Sequence, residues 1–147
     1  MGQQQLLLVI LVTIIVGIAT VVAINIFGTA ADQANQDAVR QDLLSAAAAA
    51  QGIFARPEMM GGIGQDFNND NCCDIRRFNI PRGSSADMDF EEGRIENDNG
   101  IYTFTVTDAT TLVIEGEPNS VDGGEISVTI EWIVADRRWD FTWAEDL

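Results

Sequence analysis

Two features of this chain have residue types and spacings that could do chemistry: adjacent thiols at Cys72-Cys73, and the oxygen donors Asp66-x-Asn68-x-Asp70 with Asp74 nearby. Alternating carboxylates and amides suit calcium, a hard cation that takes about six to eight oxygen ligands. However, Asn71 stands where a calcium loop turns on glycine, and Arg77 stands where it closes on glutamate, so the run is not an EF-hand. Two readings stay open: a calcium staple held by Asp66, Asn68, Asp70 and Asp74, or a solvated Asn/Asp loop. The thiols also have alternatives, namely a strained vicinal disulfide between Cys72 and Cys73, cross-links to other chains, or reduced cysteines. Two cysteines without a histidine are too few for a closed zinc shell.

Catalysis has little to draw on. The chain contains no histidine and no lysine, which removes the usual triads and Schiff-base chemistry. Neither a glycine-rich phosphate loop nor a haem-attachment motif is present. Carboxylates are plentiful, but among 23 acidic residues their proximity is expected by chance. The chain is therefore read as not an enzyme and as having no cofactor other than the candidate calcium.

The formal net charge is −15, and the eight basic residues are all arginine: Arg40, Arg56, Arg76, Arg77, Arg82, Arg94, Arg137 and Arg138. Such a surface repels nucleic acid and anionic lipid headgroups. It suits a salt-rich habitat, where ions screen self-repulsion, and equally an ordinary acidic extracellular protein.

The elements that position these residues start with residues 6–27, LLLVILVTIIVGIATVVAINIF, which hold no charge and no proline. As a helix this run is about 33 Å long at about 1.5 Å per residue, enough to cross a bilayer. It lacks the basic flank and short apolar region of a secretory signal peptide. With no basic side chain before it and Asp32 and Asp37 after it, the C-terminal part is expected outside the cell.

Residues 29–54 continue without proline, and apolar side chains recur in steps of three and four: Phe27, Ala31, Ala34, Ala38, Val39, Leu43, Ala46, Ala47, Ala50 and Phe54. The spacing predicts one helix over residues 3–54, apolar all round in its first half and amphipathic in its second. The low bulk of residues 46–50 predicts a close approach by another element. Gly17 and Gly28 are the expected weak points. Arg56-Pro57 ends the helix. A Gly/Asn/Asp-rich loop follows over residues 56–93 and packs through Ile63, Phe67, Ile75, Phe78, Ile80 and Phe90.

Alternation then predicts about four strands, at residues 101–106, 112–115, 125–134 and 139–143. Short connections make them an antiparallel meander with one apolar face, which needs a cover. The amphipathic half of the helix supplies it. The fold class is α+β, divided into residues 1–31 (apolar helix), 32–55 (amphipathic continuation), 56–93 (loop) and 94–147 (sheet head).

This layout resembles a type IV pilin or a related pilin-like protein. Such proteins carry a long N-terminal helix, apolar in its first half, whose second half packs on an antiparallel sheet, with a variable loop between them. The resemblance implies a short leader ending in glycine, here Gly2. Cleavage there would make Leu7 the fifth mature residue; with Met1 retained that position is Gln5, an uncharged relative of the usual glutamate. The apolar helix of this chain has no acidic residue, and no phenylalanine follows the glycine.

The resemblance implies a structural subunit of an extracellular type IV pilus-like filament. It would be held in the cytoplasmic (inner) membrane before assembly and then taken by pilus assembly machinery into a homopolymer built by bundling the apolar helices. Gln5, Leu6, Leu7, Thr13, Gly17, Ala19, Thr20, Ala23 and Phe27 are the expected assembly residues, the small ones admitting neighbouring backbones. The alternatives are a single-pass membrane-anchored extracellular binding domain and a minor pseudopilin of a secretion system. Nucleic acid is not an expected partner of this acidic chain.

Overall fold

With no proline before position 57, nothing in the first third of the chain breaks a helix, and its second half, from residue 29, is rich in the good helix formers Ala, Gln and Leu. The computed structural model describes residues 2–69, 72, 77, 78, 80, 88, 89, 93–120 and 124–146. In it α1 spans Gly2–Ala55, one residue longer at each end than expected. It stays helical through Gly17 and Gly28. The chain leaves the helix at Arg56, whose backbone is pushed out of the helical region by Pro57. A single 3₁₀ turn, Glu58–Met60, follows and is closed by Gly61 at φ +77°, whose N–H donates to the Glu58 carbonyl at 2.9 Å.

The chain divides into two units, Met1–Ala34 and Asn35–Leu147. The described residues of the first are helix alone, and their side chains are exposed apart from the partly covered Ala23.

The second unit is an antiparallel sheet under the remainder of α1. Its strands run in chain order: β1 Met88–Asp89, β2 Arg94–Glu96, β3 Gly100–Asp108, β4 Thr111–Pro118, β5 Glu125–Ile133 and β6 Arg138–Asp146. Five have three residues or more, and β1 is a two-residue edge. The two added strands correct the expected count of about four. Neither is long enough for alternation to be read from sequence, and β1 falls within the stretch expected to be loop.

Register aligns one apolar side chain with the next across the sheet. Ile95 faces Tyr102, Tyr102 faces Gly116, and Gly116 faces Ile126. The next rows are Phe104, Ile114, Val128 and Trp143, then Leu112, Ile130 and Phe141. Val39, Leu43, Ala46, Ala47, Ala50, Ile53 and Phe54 of α1 join Ile95, Tyr102, Phe104, Leu112, Ile114, Ile126, Val128 and Ile130 in one core, whereas Phe141 and Trp143 of β6 are exposed. The upper part of the expected stripe, Phe27, Ala31 and Ala34, is exposed instead, because the second unit begins only at Asn35.

Gly116 sets the spacing of the two layers. A Cβ there would stand 2.8 Å from Val39 Cγ1 and 3.4 Å from Leu43 Cδ1. The closest approach of α1 therefore reaches further up the helix than the alanines at 46–50. Of the expected loop anchors, Ile63, Phe67, Phe78 and Ile80 are buried in the same core, and Phe78 stacks on Phe104 with ring centroids 4.2 Å apart. Ile75 and Phe90 lie outside the described residues.

Candidate functional site

The Met1–Ala34 unit carries the expected assembly residues, and its 18-residue apolar window is 0% buried. Leu6, Leu7 and Phe27 are 63%, 69% and 74% exposed, and Gln5 is likewise open to the surroundings. Thr13, Gly17 and Thr20, at i, i+4 and i+7, share one helical face, while Ala19, Ala23 and Phe27 share the adjoining one. Leu7 falls on the opposite side.

The threonine hydroxyls of this surface are satisfied by the helix itself. Thr13 Oγ1 donates to the Ile10 carbonyl at 2.8 Å, and Thr20 Oγ1 to those of Val16 and Gly17 at 2.8 and 2.9 Å. Thr29 Oγ1 does the same with Asn25 and Ile26. A hydroxyl bonded back to its own helix leaves a methyl group outward, which an apolar environment accepts. The helix is long and apolar enough to cross a membrane.

A second constellation lies in the Asn35–Leu147 unit and was not anticipated from the sequence. Asp42 sits inside the buried stripe of α1 and is 4% exposed. Its Oδ2 accepts from Tyr102 Oη at 2.7 Å, Asn99 Nδ2 at 3.0 Å and Asn97 Nδ2 at 3.1 Å. Burial first, then the hydrogen bond to Asp42 and its charge, push the Tyr102 phenol far above its ordinary range. Asn97 Oδ1 accepts from the backbone N–H groups of Asn99 and Gly100, closing the β2–β3 turn. One helical turn or two away, Asn35 donates to the Asn99 carbonyl at 2.9 Å and accepts from the Ser120 N–H at 3.2 Å.

All the donors aimed at Asp42 Oδ2 come from the chain itself, so the cluster fastens α1 to the hairpin ends rather than presenting a reactive group. The sequence signal was a lone acid at position 42, between Val39 and Leu43 of the apolar stripe.

A fork on the surface ties the same helix to the outermost strand. Arg40 Nε and Nη2 donate to Glu145 Oε1 and Oε2 at 2.8 and 2.9 Å, while Nη1 donates to Asp37 Oδ1 at 2.8 Å. The hydrogen bond from Arg40 holds the Glu145 carboxyl below its usual range. On the far face of the sheet, partial burial and then the charges of Glu125 and Glu117 push Glu115 upward.

Of the candidate calcium ligands, Asp66 and Asn68 fall within the described residues. Asp66 Oδ1 accepts from the Asn68 N–H at 2.9 Å, an Asx turn within the loop, whereas Asp70 and Asp74 lie outside the described residues. Cys72 is buried in the core with its N–H donating to the Asn69 carbonyl at 2.8 Å; Cys73 also lies outside the described residues. The candidate processing residue Gly2 is the first residue of α1.

Comparison of the chain with family models, curated proteins and solved structures returns no match. The architecture of a long apolar N-terminal helix and a C-terminal antiparallel sheet is consistent with a pilin-like layout.

Proposed function

We propose that the chain is the structural subunit of an extracellular, type IV pilus-like filament. One observation carries this reading: an apolar helical surface whose 18-residue window is 0% buried belongs to the same α-helix that, from Val39 onward, forms one layer of a folded core. Exposed apolar surface of that extent needs lipid or another protein surface to cover it. A bundle of identical helices supplies such cover, and a heterologous contact that does not close gives an open helical polymer. The faces carrying Thr13, Gly17 and Thr20, and Ala19 and Ala23, have the small profile that lets helices approach in membranes. Before assembly the same helix holds the subunit in the cytoplasmic membrane.

Shearing surface appendages from cells and imaging them tests the reading, combined with mass determination of the subunit and its N-terminus. Filaments composed of this chain support it. Recovery of the protein only as membrane-bound monomers would favour the tethered binding domain, and recovery only at trace levels within a secretion complex would favour the minor pseudopilin.

A further inference from the structure

At the end of the sheet where β5 turns into β6, Gln65, Trp132, Val134 and Arg137 line a groove of about 350 Å³. Its construction is unusual in the backbone. Among the described residues, those other than glycine with a left-handed φ are Gln65 at +68° and Arg137 at +51°, and both line this groove. Side chains with a Cβ are strained there and glycine is not; indeed the chain uses Gly64 at φ +64° one position earlier. Two separate turns therefore keep strained side chains at places where glycine would be easier.

Those two side chains are also unengaged. Among the described residues neither the Gln65 amide nor the Arg137 guanidinium has a partner, while the next residue, Arg138, pairs with Asp136 at 3.5 Å. The aromatic wall of the groove is packed in place. Trp132 packs against Trp139 at 5.1 Å and Phe54 at 6.1 Å between ring centroids, and its backbone N–H donates to the Thr110 carbonyl at 2.9 Å.

We infer that this groove binds an acidic monosaccharide ring, a uronate, at the end of a glycan. An indole offers a flat apolar surface to the C–H face of a pyranose, and Val134 adds a second apolar wall. The Gln65 amide presents a donor and an acceptor together, matching adjacent hydroxyls. The Arg137 fork matches a carboxylate in shape and charge, against the repulsion of an otherwise acidic protein. The volume accommodates one ring, at the lower end of the range of small-molecule sites. This inference is independent of filament assembly and holds equally for a membrane-tethered head.

The test uses the full chain in a detergent without a sugar headgroup, with tryptophan fluorescence followed during titration with methyl glucuronide, methyl glucoside and acetate. The expected result is a saturable change with the glucuronide, at least tenfold weaker binding of the glucoside, and no saturation with acetate over the same range. The variants Gln65→Gly and Arg137→Gly suit the backbone, so each keeps or raises the Tm while weakening the glucuronide at least tenfold. The inference is overturned by no saturable response to the glucuronide, by acetate binding as well as the glucuronide, or by glycine variants that bind like the parent. A fall in Tm in both variants also overturns it, because the side chains would then be structural.

Discussion

Tyr102 Oη donates to Asp42 Oδ2 at 2.7 Å across 60 positions of sequence, joining the buried stripe of α1 to the middle of the sheet. Because Asn97 and Asn99 donate to the same oxygen, one carboxylate fixes the height of the helix relative to the β2–β3 hairpin. Removing one donor differs from removing the acceptor. Tyr102→Phe deletes a single hydrogen bond to a charged group and should cost about 1–3 kcal/mol. Asp42→Ala strands three donors at once and should cost more. Denaturant unfolding of the detergent-solubilised chain measures both, and equal losses would show that Asp42 is not the hub.

Tyr102 is the single tyrosine of the chain, so its ionisation can be read directly by ultraviolet absorbance. Its folded value is raised above 10.0 by burial and by Asp42, so its contribution to stability is fully present below pH 10 and is lost as pH rises through the folded value. Phenolate absorbance should therefore appear only together with unfolding. A reversible titration near pH 10 in the folded protein would contradict the burial and the Asp42 bond together.

The Arg40–Glu145 fork sets the acid side of the profile. Glu145 is depressed below its ordinary 4.5, chiefly by the hydrogen bond from Arg40, so its stabilisation is present above pH 4.5 and disappears as pH falls through the lower folded value. The pair is partly exposed, with 31% and 40% of the two side chains accessible, so solvent screens it. Glu145→Gln should lower stability at neutral pH by about 0.2–1 kcal/mol and by nothing below the folded value. Parallel denaturation series across the acid range check this. The difference should also shrink in high salt.

Gly116 is a position where a methyl group decides the packing. A Cβ there would meet Val39 Cγ1 at 2.8 Å, with Leu43 and Tyr102 carbons at 3.4 Å behind it. Gly116→Ala should therefore push α1 off the sheet and cost roughly 1–3 kcal/mol, although alanine suits a strand better than glycine does. Combining it with Val39→Ala should restore part of the loss, because the two side chains compete for one space. A double-mutant cycle in the same denaturation assay reads that coupling.

The long periodic segments were legible because pattern and structure share a cause. Steps of three and four marked Val39, Leu43, Ala46, Ala50 and Phe54 as the face that packs, and alternation placed Tyr102, Phe104, Ile126, Val128 and Ile130 on the inner side of the sheet. Other features depend on distance in sequence, which no local pattern encodes. The β2 strand has three residues and acquires meaning only from its pairing with β3. Asp42 reads as an exposed helical acid until Tyr102, Asn97 and Asn99 are folded onto it. Gln65 and Arg137 are ordinary polar residues until their backbone angles and their shared groove are known. The stripe at Phe27, Ala31 and Ala34 failed for the opposite reason: periodicity persists in the helix where the second unit has not yet begun.

Gly17 separates the needs of a lone helix from those of a bundle. In the single chain a Cβ at this position meets nothing within 4 Å, and leucine in place of glycine favours the helix by about 0.8 kcal/mol. Gly17→Leu should therefore leave helicity, measured by circular dichroism in detergent, unchanged or higher. In a filament built on close helix approach, the same side chain would be driven between backbones that small residues bring together. The yield of sheared filaments should then fall severalfold while membrane-bound protein accumulates. Opposite signs in the two measurements cannot come from misfolding, which would lower both. Filaments at the parental yield would mean that the Thr13, Gly17 and Thr20 face does not lie in the helix bundle.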